Sequence, residues 1–170
     1  DSVFEIINKG NIHPTTLTGS HGSLTPEWIF KKCDVDYIVR NEPEITPLNL
    51  INALNRKENI GGVKGVSYRN GNNVINNQDA PRIENLDEMP FPAYELLPMG
   101  EYRYAQKDLI WPFSIVLTSR GCPFNCIFCL KTMSEGGYKV RNPKSVVDEI
   151  EYLIKNFEIK SIFFQDWEFT

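Results

Sequence analysis

The chain has 170 residues, 41% of them apolar and 24% charged, with four cysteines, eleven glycines and eleven prolines. That composition belongs to an ordinary globular protein able to bury a sizeable core, and it excludes disordered and collagen-like classes. A formal net charge of -4 with scattered Lys and Arg argues against a nucleic-acid partner, and no apolar run approaches the roughly eighteen residues of a membrane span, since 109–117 is short and broken by Pro112.

In chain order, a first block covers residues 1–77. Thr25-Pro26-Glu27 opens a helix with Thr25 as N-cap and Pro26 at the first helical position, where its missing N-H costs nothing. That helix is expected to end near Cys33, which in the last turn reads as a small buried hydrophobe. Residues 36–40 have the short, β-branched and aromatic character of a strand, and Thr46-Pro47 starts a second helix with Leu48, Ile51 and Leu54 on one face. Around Asn70-Gly71-Asn72, residues 66–69 and 73–76 alternate as a hairpin, because Asn and Gly tolerate positive φ. His21 reads as a turn or capping residue and His13 as a loop histidine before Pro14.

Residues 78–110 form a connector. Pro81, Pro90, Pro92 and Pro98 favour an extended path, with Phe91, Tyr94, Leu96 and Leu97 as packing anchors. From 111 to 170 the pattern becomes strand, helix, strand. Residues 114–118 read as a strand, Ser119-Arg120-Gly121 as a turn, Asn142-Pro143 as the cap of an amphipathic helix reaching Phe157, and 160–165 as a second, parallel strand. Asp166 and Glu168 lie just past the carboxyl end of that strand, where parallel α/β folds collect binding residues.

Between turn and helix stand Cys122, Cys126 and Cys129, three thiols at CxxxCxxC spacing that could hold three irons of a cubane and leave the fourth open. A structural zinc site would need a fourth ligand, and Cys33 and His21, the nearest candidates, are far back in sequence. Arg120 and Lys131 flank the loop with positive charge that favours thiolate formation. Gly136 and Gly137 mark a flexible turn and not a phosphate loop.

Cys122, Cys126, Phe128 and Cys129 match CxxxCxΦC, Φ being aromatic, so the chain resembles the radical S-adenosylmethionine (SAM) enzymes. The resemblance implies a 4Fe-4S cluster on the three cysteines, with SAM chelated at the open iron and reductively split to a 5'-deoxyadenosyl radical that abstracts a substrate hydrogen. It also implies a partial (β/α)6 barrel of which 111–170 is the first strand-helix-strand unit. Phe128 would lie near the adenine of SAM, and Asp166 or Glu168 would accept from its amino group. The strand ending at Gly19-Ser-His21 is similar to Gly-Gly-x-His, and Arg40-Asn-Glu42-Pro-Glu44 to Arg-Gly-Glu-Gly-Glu, both marks of a flavodoxin-like cobalamin-binding domain. Residues 1–77 would then be the C-terminal part of that domain, with a single Gly19, Asn41 and Pro43 where the pattern has glycines. Neither histidine satisfies Asp-x-His-x-x-Gly, so no cobalt ligand is assigned.

The implied reaction is methyl transfer from methylcobalamin to an unactivated carbon of a small molecule or natural product. An electron donor such as flavodoxin or ferredoxin and a cytoplasmic, low-oxygen setting go with it. A radical oxidoreductase or cyclase, and a non-enzymatic Fe-S or zinc-binding module, are the alternatives. With no initiator Met and room for only one barrel unit, the chain reads as an excerpt whose isolated activity would be nil.

Overall fold

The computed structural model describes residues 13–103, 108–129 and 137–169. Lys131 and Gly136, singled out above, lie outside the described residues. The architecture is mixed α/β, and its contacts group into two units, Asp1–Arg82 and Ile83–Thr170.

The first unit is built on a four-stranded sheet in chain order: β1 (Thr16–Thr18), β2 (Tyr37–Val39), β3 (Val66–Asn70) and β4 (Asn73–Asn76). β1 and β2 run parallel, and β2, β3 and β4 are antiparallel. Helices α1 (Ser20–Leu24) and α2 (Pro26–Lys32) fill the crossover between the parallel strands, and α3 (Ile45–Asn55) follows β2. Successive side chains of a strand point to opposite faces. Ile38 accordingly packs with Ile29, Phe30, Cys33 and Val35, while Val39 packs with Leu50, Ala53, Val63 and Val66. A strand covered on both faces reads as continuously apolar, as residues 37–39 do. The expected hairpin forms, with Asn70 opposite Asn73 and Gly71 at φ 60°.

Two local expectations are corrected. Thr25 precedes Pro26 as foreseen, but its hydroxyl donates to the His21 carbonyl at 3.1 Å instead of capping α2, because α1 ends directly against it. In α3 the buried positions are Thr46, Leu50 and Ala53, whereas Leu48 and Ile51 are more than half exposed. The helix is apolar over most of its circumference, so periodicity alone did not single out the face that meets β2.

The second unit pairs β5 (Phe113–Val116) in parallel with β8 (Ser161–Phe164), joined through α4 (Pro143–Phe157). Asn142 caps α4 as expected, its Oδ1 accepting from the Lys144 backbone N-H at 2.9 Å, and Glu158 ends it in the left-handed region at φ 54°. Val116, Val146, Leu153 and Ile159 form the core with Tyr94 and Met99 of the Pro-rich segment, and Phe91 packs against it. Leu96 and Leu97, expected as anchors, are exposed. The tight turn over Tyr94–Leu96 buries its first residue and turns the others outward. Among the described residues no helix is long and apolar enough to cross a membrane.

Candidate functional site

Two short strands absent from the sequence reading close the neck of the cysteine loop. β6 (Ser119–Arg120) and β7 (Lys139–Val140) pair antiparallel, Ser119 with Val140 and Arg120 with Lys139, so the chain leaves and returns at one place. Gly121 follows at φ 90°, and a Cβ there would stand 2.2 Å from the Gly137 carbonyl oxygen. That close backbone approach is what requires glycine.

The Asp166 side chain and the backbone carbonyls of Glu168 and Ile83, all from beyond the loop, hold the same neck. Asp166 Oδ1 accepts from the Thr118 N-H at 2.9 Å, the Ser119 N-H at 2.5 Å and the Ser119 hydroxyl at 2.6 Å. The Tyr138 hydroxyl donates to the Glu168 carbonyl at 3.3 Å, and Lys139 Nζ donates to the Ile83 carbonyl at 2.8 Å. Asp166 thus meets the outgoing arm and Glu168 the returning one. The second Asp166 oxygen is buried without a hydrogen-bond partner among the described residues. It is an acceptor with capacity left.

Within the loop Cys122 is half-buried, Cys126 and Cys129 are exposed, and all three are free thiols. The Cys129 N-H donates to the Cys126 carbonyl at 3.2 Å, a turn that folds these two positions back toward each other. Among the described residues no three His, Cys, Asp or Glu side chains converge as a metal-holding group. The fit to a cluster therefore lies in the donors: three soft thiols on one accessible loop, not consumed by disulfides. Phe128 is 88% exposed on the loop.

One network at the site escaped the sequence reading. Glu149 occupies the apolar stripe of α4 between Val146 and Leu153 and is only 2% exposed. One of its oxygens accepts from the Tyr94 hydroxyl at 2.5 Å, and the other pairs with Arg141. Burial first, then the hydrogen bond to Glu149 and its charge, push the Tyr94 phenol far above its ordinary range. A carboxylate inside an otherwise apolar i, i+3, i+7 row was the available signal.

In the first unit, Gly19 at φ 113° and Asn41 at φ 67° turn the chain at the carboxyl ends of β1 and β2. The two turns are tied by the Asn41 N-H, which donates to Ser23 Oγ at 2.8 Å. Asn41 adopts the left-handed conformation that a glycine would supply, which suits Asn better than other side chains. A Cβ at Gly19 would meet nothing within 4 Å among the described residues. His13 lies at the other end, before β1, where its Nδ1 bonds Asp36 at 2.7 Å. His21 sits in α1 with its ring 5.1 Å from that of Trp28.

No protein-family model matches the chain. A Pyrococcus horikoshii protein described as an uncharacterized methyltransferase is 39% identical over 156 residues, covering 91% of this chain and 33% of its own length. The anaerobic magnesium-protoporphyrin IX monomethyl ester cyclase of Rubrivivax gelatinosus is 33% identical over 161 residues, covering 92% of this chain and 28% of its own. The chain thus spans about a third of the curated relatives it matches. Among solved structures it is similar to the cobalamin-dependent S-adenosylmethionine radical enzyme OxsB, with a TM-score of 0.72 and 23% identity over 98% of this chain and 23% of that one. It is also similar to the radical S-adenosylmethionine methyltransferase TsrM of Kitasatospora setae, with a TM-score of 0.62 and 21% identity over 91% of this chain and 30% of that one. These two likenesses concern the fold.

Proposed function

Because the chain belongs to the radical SAM enzymes of the cobalamin-binding-domain-containing subgroup, we propose that it carries the cluster loop of such an enzyme, with Cys122, Cys126 and Cys129 as ligands of a 4Fe-4S cluster. When bound, the cluster supplies the electron that splits a carbon-sulfur bond of SAM into methionine and the 5'-deoxyadenosyl radical. The observation that carries this reading is the set of three free thiols on one exposed loop whose two arms are fixed side by side.

The chain's own residues then have separable tasks. Gly121 and the β6-β7 pairing hold the arms, so that bringing three thiolates together orders only the loop itself. Asp166 anchors the outgoing arm through one oxygen and offers the other to an ammonium donor such as the amino group of SAM. Glu168 takes the returning arm through its backbone carbonyl, and its carboxylate is the second acceptor assigned to that amino group, while Phe128 is exposed and can close over the nucleoside. The turns at Gly19 and Asn41 are the residues of the first unit assigned to the cobalamin tail, and residues 1–77 are read as the C-terminal part of that flavodoxin-like domain.

The reaction assigned is cobalamin-dependent methyl transfer to an unactivated carbon of a small molecule, with the electron drawn from a flavodoxin or ferredoxin in a reducing cytoplasm. A specific observation favours a second reading, since the Rubrivivax relative is a cyclase. The test is anaerobic reconstitution of the intact protein with iron and sulfide, followed by reduction and electron paramagnetic resonance. The expected result is a cluster signal that changes when SAM is added, with release of 5'-deoxyadenosine. A spectrum indifferent to SAM and no deoxyadenosine overturn the radical reading. Methyl-labelled SAM then separates the two reactions, because only a methyltransferase passes label to its product.

A further inference from the structure

The geometry points to Arg141 as a positioning residue for the cysteine loop, held by the buried carboxylate of Glu149 and, through it, by Tyr94 of the Pro-rich segment. This rests on the reading of the loop as the cluster site and names what sets its position.

Arg141 is the first residue after β7, on the returning arm. Its backbone N-H donates to the Thr118 carbonyl at 2.8 Å, and its Nη1 donates to the Leu117 carbonyl at 2.9 Å, both on the outgoing arm just before Ser119. The same guanidinium pairs with Glu149 Oε2, and its Nη2 reaches Ser145 Oγ at 3.2 Å. Ring contact with Phe91, 6.0 Å from its centroid, covers one face. One planar fork therefore staples the two arms to each other and to α4. A lysine could not reproduce it, since a single ammonium lacks the second nitrogen that reaches Ser145 while Nη1 serves the Leu117 carbonyl and Glu149, and lacks the planar face set against Phe91.

Both Glu149 oxygens are engaged, Oε1 by the Tyr94 hydroxyl and Oε2 by Arg141. Removing one partner of such a buried pair leaves the other charge uncompensated, so the arrangement is all or none. Tyr94 and Phe91 belong to the Pro-rich segment, and through them that segment bears on the loop neck. Its contribution is thus more than that of a spacer.

The experiment compares Arg141→Lys, Glu149→Gln and Tyr94→Phe in the intact protein with Leu153→Ala, which opens a cavity in the same core cluster without touching the neck. Each is reconstituted anaerobically. Iron content, the change in the paramagnetic spectrum on adding SAM, and the SAM dissociation constant are measured, along with Tm. The sulfur-to-cobalt charge-transfer absorption of the iron-free protein titrated with cobalt(II) gives a readout independent of activity.

Arg141→Lys and Glu149→Gln are expected to weaken metal and SAM binding about tenfold, the scale of outer-shell partners of metal ligands. Tyr94→Phe should follow in the same direction, while Leu153→Ala lowers Tm and binds cobalt and SAM as the wild type does. Should Arg141→Lys fail to fold, Glu149→Gln and Tyr94→Phe carry the comparison. Wild-type binding in all folded neck variants, or losses in Leu153→Ala as large as theirs, overturn the proposal. A wild-type protein that takes up no cluster overturns instead the cluster reading beneath it, and is told apart by that result alone.

Discussion

Gly121 and Gly137 both sit in the left-handed region, at φ 90° and 83°, yet they face different surroundings. Among the described residues a Cβ on Gly137 meets nothing within 4 Å, so against them Gly137→Ala adds the conformational penalty of about 1 to 2 kcal/mol. A Cβ on Gly121 would stand 2.2 Å from the Gly137 carbonyl oxygen, and backbone cannot rotate away as a side chain does. Gly121→Ala is therefore expected to lose iron uptake on reconstitution while Gly137→Ala retains most of it; equal iron content in the two variants would show that the close approach does not matter.

The His13 and Asp36 pair gives the first unit a pH dependence of definite sign. The hydrogen bond to Asp36 and its charge raise His13 above its ordinary 6.5, so its contribution to stability is full below 6.5 and is lost as pH rises through the higher folded value. For Asp36, burial works upward, but the bonds from His13 and from the Thr15 N-H and hydroxyl outweigh it and hold the carboxyl below its ordinary 3.8. Its contribution is present above 3.8 and fades as pH falls through the lower folded value. The pair supports the fold most between those limits. A nuclear magnetic resonance titration should place the His13 midpoint above 6.5 and move it back toward that value in Asp36→Asn, and a wild-type midpoint at or below 6.5 contradicts the pairing.

At the scale of elements, local rules read correctly where no neighbouring element intervenes, and failed at Thr25, whose hydroxyl turns to the end of α1 instead of capping α2. The Asn142 cap, the Asn70-Gly71 hairpin and the strand-helix-strand order of the second unit depend on neighbours in sequence, and the structure has them all. The buried face of α3 depends on which surface β2 presents, and a helix with Ile45, Leu48, Leu50, Ile51 and Leu54 offers several. The neck of the cysteine loop was unreadable for a stronger reason. β6 and β7 are two residues each, far below the length at which periodicity speaks, and they exist because Asp166 and Arg141 hold their ends. The cysteine motif carries the chemical proposal, while the contacts that tie its neck join residues up to 56 positions apart in sequence.

For the whole molecule, each unit has its own core cluster, and the cobalamin assignment rests on residues of the first while the cluster assignment rests on the second. The two assignments therefore have separate readouts, bound cobalamin and bound iron. Asn41 holds φ 67° at the end of β2, its N-H fixed by Ser23 and its side chain accepting from Arg82. Glycine tolerates that conformation and a β-branched residue does not. In the intact protein, Asn41→Gly should therefore keep bound cobalamin, measured by its visible absorption after gel filtration, whereas Asn41→Val should lose it about tenfold with iron content unchanged, the equivalent of a left-handed strain of about 1 to 2 kcal/mol. If Asn41→Val retained cobalamin at the wild-type ratio, the turn would have no part in holding the corrin tail, and if the wild type bound none, methyl transfer would give way to the cyclase-type reading with the cluster chemistry untouched.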